Sequence, residues 1–182
     1  MRHKTALVTG AASGIGLALA ADLSKQGFRV CLTDADEQAV TTAAQSLNGA
    51  AAEVLALPLD VTNQEHISGA VSRLENEWGG VDVLINNAGV ALGSDINNAE
   101  QFEKNWQRSI AIMASAQQWA ILTALPWLRL AEYPRIVNLA STEALGATAY
   151  NSAYVAAKHA SLGLTRAMSV ELGKEGITVN CI

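Results

Sequence analysis

Short runs of β-branched and apolar residues alternate with stretches of helical periodicity along this chain, and this alternation is the strongest constraint on its fold. Such an order predicts an α/β fold: a Rossmann-type, doubly wound parallel sheet of six strands with helices on both faces. The predicted strands are Thr5–Thr9, Arg29–Thr33, Glu53–Leu59, Val81–Asn86, Arg135–Ala140 and Ile177–Cys181. The predicted helices are Ser13–Gln26, Glu37–Leu47, Asn63–Trp78, Ala99–Leu130 and Ser152–Leu172.

The third predicted helix has the clearest boundaries. Thr62 is the expected N-cap, and Glu65 stands three residues later, where a capping box places its acidic partner. Gly27 and the pair Gly79-Gly80 stand where left-handed C-caps belong.

Length and charge limit the classes of function. A chain of 182 residues suits one domain over residues 1–182, and a net charge of -5 argues against nucleic acid as the main partner. No basic cluster, signal-peptide segment or long apolar run indicates a membrane, and His3, His66 and His159 lack metal-ligand spacing. Cys31 and Cys181 lie in strand-like runs, typical of buried thiols, so we expect a cytoplasmic protein.

Three glycines, Gly10, Gly14 and Gly16, fall between the first predicted strand and the first predicted helix. In a dinucleotide-binding turn the first glycine permits a sharp turn, the second lets the backbone approach a pyrophosphate, and the third lets the helix pack closely. Ser13 and Ile15 belong to the same turn. The helix N-terminus offers free N–H groups and a positive dipole end to the phosphates.

Asp34, at the end of the second predicted strand, is the acidic residue expected after such a turn. Its carboxylate can accept hydrogen bonds from the ribose hydroxyls of adenosine, and it repels a 2′-phosphate. Neither Ser13 nor Ala35 is basic, so NAD is expected in preference to NADP. The alternative role for Asp34 is to cap the next helix.

Two further turns, Asp60-Val61 and Asn86–Gly89, end the third and fourth predicted strands. Both lie at the sheet edge where adenine and its ribose would bind, and the small Ala88 and Gly89 beside Asn87 leave room for a flat cofactor. The alternative is that they only terminate strands.

Tyr154 and Lys158 lie one turn apart on the last predicted helix, and Ser141 closes the fifth predicted strand. An ammonium group beside a phenol favours the phenolate, which suits proton transfer. Such a pair alone is also common on helix surfaces. Combined with the glycine turn, it indicates redox chemistry at a carbonyl or alcohol.

In order and spacing, these segments resemble the short-chain dehydrogenase/reductase family, as does Ile177–Asn180 near the end of the chain. The resemblance implies hydride transfer between NAD(H) and a secondary alcohol or ketone. It implies Tyr154 as the acid/base, Lys158 as its partner and a ligand of the nicotinamide ribose, and Ser141 as the group that orients the substrate oxygen. The implied cofactor-binding residues are Gly10, Ser13, Gly14, Ile15, Gly16, Asp34, Asp60, Val61, Asn87, Ala88, Gly89, Tyr154 and Lys158.

Two departures from the family pattern favour an alternative, a truncated, non-catalytic nucleotide-binding relative. The first is Met113, which occupies the register where relatives commonly have asparagine. Ser109 and Gln117, four residues to either side, could supply the missing polar group. The alternative is that Met113 serves only in packing. Relatives usually continue past Ile182 into a substrate-covering segment and a seventh strand. We therefore expect an open edge at the sixth strand, weak NAD binding and slow or absent turnover. An epimerase of the extended superfamily would need a larger C-terminal region.

Two predictions concern the substrate and the partner. The segment after Ser141 is expected to line the side of a small alcohol or ketone, where its only charge, Glu143, either contacts a polar substrate group or is solvated. A homodimer is expected through the helices 99–130 and 152–172, unless their apolar side chains all face the subunit's own core. Those side chains are Trp119, Leu122, Ala153, Leu162 and Met168.

Overall fold

The six strands form one parallel sheet in the order β3-β2-β1-β4-β5-β6. The structure is a computed structural model that describes residues 3–47 and 53–182. The strands are β1 Thr5–Thr9, β2 Arg29–Asp34, β3 Val54–Pro58, β4 Val83–Asn86, β5 Arg135–Asn138 and β6 Thr178–Cys181. The chain winds outward from β1 in one direction and from β4 in the other, which opens a crevice at the carboxyl ends of these two strands. The predicted fold class is confirmed.

Within the described residues, six α-helices connect and cover the strands. They are α1 Gly14–Lys25, α2 Glu37–Ser46, α3 Gln64–Trp78, α4 Ala99–Ile110, α5 Ala116–Leu128 and α6 Ser152–Gly173. A π-helical segment, Ala111–Ser115, joins α4 to α5, so the long helix predicted over 99–130 contains a widened turn centred on Met113. Hydrophobic periodicity does not reveal such a turn, because it inserts one residue without interrupting the helix.

Alternation along the strands produces two hydrophobic layers. In β1, Leu7 faces the layer formed with α3, α5 and α6, whereas Ala6 and Val8 face the layer formed with α1 and α2. These residues are at most 1% exposed. Because successive side chains of a strand point to opposite faces, a run that is apolar at every position requires helices on both sides of the sheet.

The start of α3 differs from the prediction. Asn63, not Thr62, is the N-cap, and its Oδ1 accepts hydrogen bonds from the backbone N–H groups of Glu65 and His66 at 2.9 and 3.4 Å. Thr62 is unavailable because its hydroxyl and its N–H both donate to Asp60 Oδ1. At the other end, Gly79 adopts the left-handed conformation expected of a C-cap, with φ 80°.

The two cysteines differ in burial. Cys31 in β2 is completely buried, and burial raises the pKa of its thiol. The prediction was wrong for Cys181, which is partly exposed because β6 is the edge strand of the sheet. Both thiols are free.

Candidate active site

Three glycines shape the turn after β1, two of them by their backbone conformation and two by the lack of a side chain. Gly10 and Gly14 have φ of +62° and +55°, in the left-handed region that side chains disfavour. A Cβ on Gly10 would lie 2.8 Å from Ala88 Cα, and a Cβ on Gly16 would collide with the Asn87 amide and the Gly10 carbonyl. The turn and the loop after β4 are therefore in direct backbone contact.

Hydrogen bonds hold these two loops together. The Thr9 hydroxyl accepts the backbone N–H groups of Asn87 and Ala88 at 3.0 and 3.1 Å. In return, the Asn87 side-chain amide donates to the carbonyls of Thr9 and Gly10 at 2.9 and 2.8 Å. The amide nitrogen of Asn87 is thus occupied by the backbone. The role of Thr9 was missed in the sequence, although it directly precedes the predicted glycine turn.

A cleft of about 410 Å³ opens where these loops meet α6. It brings together nine of the predicted site residues from four separate segments. These are Gly10, Ser13, Ile15, Asp34, Asn87, Ala88, Gly89, Tyr154 and Lys158. Gly14, Gly16 and Ser141 do not line this cleft. The two glycines shape the turn instead.

A second cleft of about 210 Å³ shares Gly10, Asp34, Ala88 and Gly89 with the first and extends beside β3. Asp60 and Val61 line it, as the sequence predicted for the adenosine end. Arg108 of α4 lies at the same cleft and was not predicted there. No local pattern could have identified it, because it reaches the cleft from a helix that is distant in sequence.

Asp34 does not cap the helix that follows it. Its two carboxylate oxygens accept the backbone N–H groups of Ala12 and Asp36, each at 3.2 Å. The cap of α2 is Asp36, whose Oδ1 accepts the N–H of Ala39 at 2.9 Å. The carboxylate of Asp34 is thereby fixed at the junction of the two clefts.

Asp60 is held as an anion at the far end of the second cleft. Hydrogen bonds from the N–H and then the hydroxyl of Thr62 keep the pKa of Asp60 below its usual range, with smaller contributions from His66 and Arg108. His66 also accepts the N–H of Asp60 through Nδ1 at 3.3 Å. This histidine therefore anchors the loop that ends β3.

Tyr154 and Lys158 lie on one face of α6, as predicted. The Lys158 ammonium is 5.6 Å from the centroid of the Tyr154 ring and donates to the Leu139 carbonyl at 2.5 Å. Burial lowers the pKa of Lys158 from 10.5 to about 8. The arrangement places a partly desolvated cation beside a half-buried phenol, which is suited to stabilising a phenolate.

The start of α6 is fixed by the loop after β4. Ser94 accepts the Ala153 N–H through its hydroxyl at 3.1 Å, and its own N–H donates to the Tyr150 carbonyl at 2.7 Å. Tyr150 has a φ of +60°, a strained conformation for a non-glycine residue. The strained residue lies two positions before the first residue of α6, and its carbonyl accepts the Ser94 N–H.

Ser141 lies three residues beyond β5 and does not close the strand as predicted. Its hydroxyl accepts the Glu143 N–H at 3.2 Å and caps a single 3₁₀ turn, directly after Leu139 and Ala140, which line the cleft. The Glu143 carboxylate accepts hydrogen bonds from the hydroxyl and the N–H of Thr148 at 2.6 and 3.0 Å. It therefore braces the loop that leads to Tyr154.

Met113 packs completely buried behind the main cleft. A Cβ on Gly89 would lie 3.5 Å from its sulfur, so the thioether backs the floor of the cleft. The two polar neighbours are also buried. Gln117 accepts a hydrogen bond from Ser161 of α6 at 2.7 Å, whereas its amide nitrogen and the Ser109 hydroxyl have no partner in the described part of the chain.

Two further features bear on the class of protein. Over residues 3–47 and 53–182, the chain brings together no group of three His, Cys, Asp or Glu residues able to hold a metal ion. In the same ranges, each helix is too short or too polar to cross a membrane. What remains is a crevice at the carboxyl ends of parallel strands, with a glycine turn at one side and a Tyr/Lys pair at the other.

These features define a dinucleotide-binding oxidoreductase fold, and comparison with known proteins agrees. The chain matches the short chain dehydrogenase family over residues 4–182. It belongs to that family. It is 37% identical to a D-beta-hydroxybutyrate dehydrogenase of Rhizobium meliloti, over 98% of this chain and 69% of that protein. A D-beta-hydroxybutyrate dehydrogenase of Cupriavidus necator is 34% identical, over 100% of this chain and 70% of that protein.

A solved structure has a closely similar fold. L-sorbose reductase from Gluconobacter frateurii, in complex with NADPH and L-sorbose, superposes with a TM-score of 0.93 at 29% identity. The match covers 99% of this chain and 68% of that one. The resemblance inferred from the sequence is therefore confirmed, and the chain is an oxidoreductase by family.

The buried ammonium leads to a prediction about stability. Because the pKa of Lys158 is lower in the folded chain (about 8) than in the unfolded chain (10.5), the unfolded state binds more protons between these values. The free energy of unfolding should therefore rise with pH across this window, relative to a Lys158→Met variant. Urea unfolding across the window measures the difference. Lys25→Met, at an exposed lysine of α1, is the control, and identical pH dependence in all three proteins would contradict the prediction.

Proposed function

We propose that this chain, acting as one domain over residues 1–182, is an NAD(H)-dependent oxidoreductase that interconverts a secondary alcohol and a ketone. The observation that carries the proposal is the position of Lys158 beside Tyr154, in the same cleft as the glycine turn and Asp34. The names of the relatives, two hydroxybutyrate dehydrogenases and a sorbose reductase, support a small hydroxy or keto compound as the substrate.

The residues present fit a dinucleotide. At Gly10 and Gly16 a side chain would fill the space that brings the two loops together, and the first turn of α1 presents its N–H groups at the cleft. Asp34 is placed to accept hydrogen bonds from ribose hydroxyls, and the small Ala88 and Gly89 leave space for a flat ring. When bound, the nicotinamide group supplies or accepts the hydride.

The protein's own contribution is to hold the substrate oxygen and move a proton. On reduction, the Tyr154 hydroxyl donates its proton to the carbonyl oxygen; on oxidation, the phenolate accepts the alcohol proton. The Lys158 ammonium stabilises the phenolate that each direction uses. The Ser141 oxygen already accepts the Glu143 N–H, which leaves its hydroxyl proton free to donate to the same substrate oxygen.

A second candidate function is a nucleotide-binding protein without turnover. The observation that favours it is the buried thioether of Met113, which is at most a weak acceptor. The Ser109 hydroxyl and the Gln117 amide nitrogen are buried without a partner in the described residues. Binding of NAD with no oxidation of a panel of secondary alcohols would support this alternative.

We propose a cytoplasmic location for either function, since the buried free thiol of Cys31 suits a reducing compartment.

Tyr154→Phe is the direct test of catalysis. Loss of the proton donor should lower turnover roughly a hundredfold or more, while NAD affinity measured by calorimetry stays near that of the unmodified chain. Lys158→Ala should reduce both turnover and NAD affinity, because we assign it to the ribose as well as to the phenolate. Tyr133→Phe, at an exposed tyrosine outside the cleft, is the control. Full activity in Tyr154→Phe would show that another group transfers the proton.

The cofactor preference rests on Asp34. The unmodified chain should bind NAD more tightly than NADP, because Asp34 is a carboxylate held by two N–H groups, and in the proposed binding mode it would repel a 2′-phosphate. Asp34→Asn should reduce the discrimination at nearly constant size, and Asp34→Ala combined with Ala35→Arg should reverse it. Calorimetry with both nucleotides measures the ratio. Tighter binding of NADP by the unmodified chain would refute the assignment.

We also propose that two copies associate through the helices 99–130 and 152–172. Ala153 is completely buried and cannot contribute, contrary to the sequence prediction. Trp119 and Met168 pack partly on the subunit's own core, but Leu122 and Val170 remain 53% and 74% exposed.

Light scattering should therefore show a dimer. Leu122→Asp should shift the equilibrium from dimer toward monomer, because it places a charge in the proposed interface. Leu145→Asp, at an exposed loop position outside both helices, should not. A stable monomer of the unmodified chain at all concentrations would contradict the proposed interface.

A further inference from the structure

We infer that Arg108 binds the adenine ring of the dinucleotide, with its guanidinium group closing the smaller cleft beside Asp60. The inference rests on the proposed function, because it takes the two connected clefts as one dinucleotide site. It adds a residue that neither the glycine turn nor the acidic residues indicate.

The position of Arg108 is the first support. It lies in the last turn of α4, one helical turn before Ile112, and both residues line the 210 Å³ cleft. Its side chain is exposed and forms no ion pair with any residue in the ranges 3–47 and 53–182. Its charge nevertheless reaches the cleft, since it contributes to stabilising the Asp60 carboxylate. An unpaired arginine at the mouth of a cleft is available to a ligand.

The chemistry of the other lining residues is the second support. The walls are formed by small or apolar side chains and by the carboxylates of Asp34 and Asp60, all of which lack N–H donors. Adenine carries acceptor nitrogens in its ring and a π face. Among the described residues that line this cleft, only Arg108 has a side chain that can donate to those nitrogens or stack on that face.

Charge balance is the third support. Without Arg108, the smaller cleft would contain two carboxylates and no cation, and it would repel a ligand whose pyrophosphate lies at the adjoining glycine turn. The guanidinium offsets one of these charges. A planar guanidinium can stack on a purine ring, whereas a compact ammonium would supply charge without the stacking surface.

The test measures binding of ADP-ribose, NAD and NADP by calorimetry to four proteins: the unmodified chain, Arg108→Met, Arg108→Lys and Lys104→Met. Arg108→Met should weaken ADP-ribose and NAD by roughly 5- to 30-fold, the range expected for loss of a partly desolvated cation–π contact. Arg108→Lys should recover only part of the affinity. Lys104→Met removes the same charge from an exposed position of α4 outside the cleft, and should change affinity by less than about twofold.

Three outcomes would overturn the inference. Equal affinity of the unmodified chain and Arg108→Met for ADP-ribose would show that the guanidinium does not contact adenosine. A loss confined to NADP would assign Arg108 to the 2′-phosphate instead of the ring. Failure of the unmodified chain to bind any of the three nucleotides would refute the proposed function itself, and the inference with it.

Discussion

The contact between the turn after β1 and the loop after β4 is the constraint on which the rest of the site depends. Four hydrogen bonds join residues separated by 77 to 79 positions in sequence, two of them accepted by the single hydroxyl of Thr9. Each bond is worth only about 1 kcal/mol, but an unpaired backbone group in this buried crevice would cost more. The contact fixes the two loops that border the crevice. Because they lie so close together, Gly10 and Gly16 tolerate no side chain.

The end of the cleft that contains Tyr154 and Lys158 is held by a second set of long-range contacts. Ser94 ties the loop after β4 to the first turn of α6, and Lys158 of that helix donates back to the carbonyl that follows β5. The ammonium is therefore buried against a neutral oxygen instead of a carboxylate, which leaves its charge available to the phenol. Tyr150 remains in a left-handed conformation at this junction, so the surrounding contacts must outweigh a strain of about 1–3 kcal/mol.

Features encoded in local register were predictable from the sequence. The glycine turn, Asp34 and the Tyr154–Lys158 spacing each depend on residues within one turn or one strand end, and the structure places them together. Features that depend on competition between neighbouring side chains, or on contacts distant in sequence, were not predictable. Asn63 displaces Thr62 as a cap only because Asp60 engages the threonine, and the π-helical turn around Met113 leaves the apolar pattern unchanged. Arg108 reaches its cleft through the packing of α4, which no sequence window contains.

The two ends of the connected clefts carry charges of opposite sign. The buried cation of Lys158 lies at one end, and the carboxylates of Asp34 and Asp60 lie at the other, joined by the glycine turn that carries no side-chain charge. In the proposed function, a dinucleotide with its adenosine toward β3 places ribose hydroxyl donors against these carboxylates. Its reacting ring would then lie beside Tyr154. In the inferred role, Arg108 lowers the net negative charge at the acidic end, where Asp34 and Asp60 line the smaller cleft.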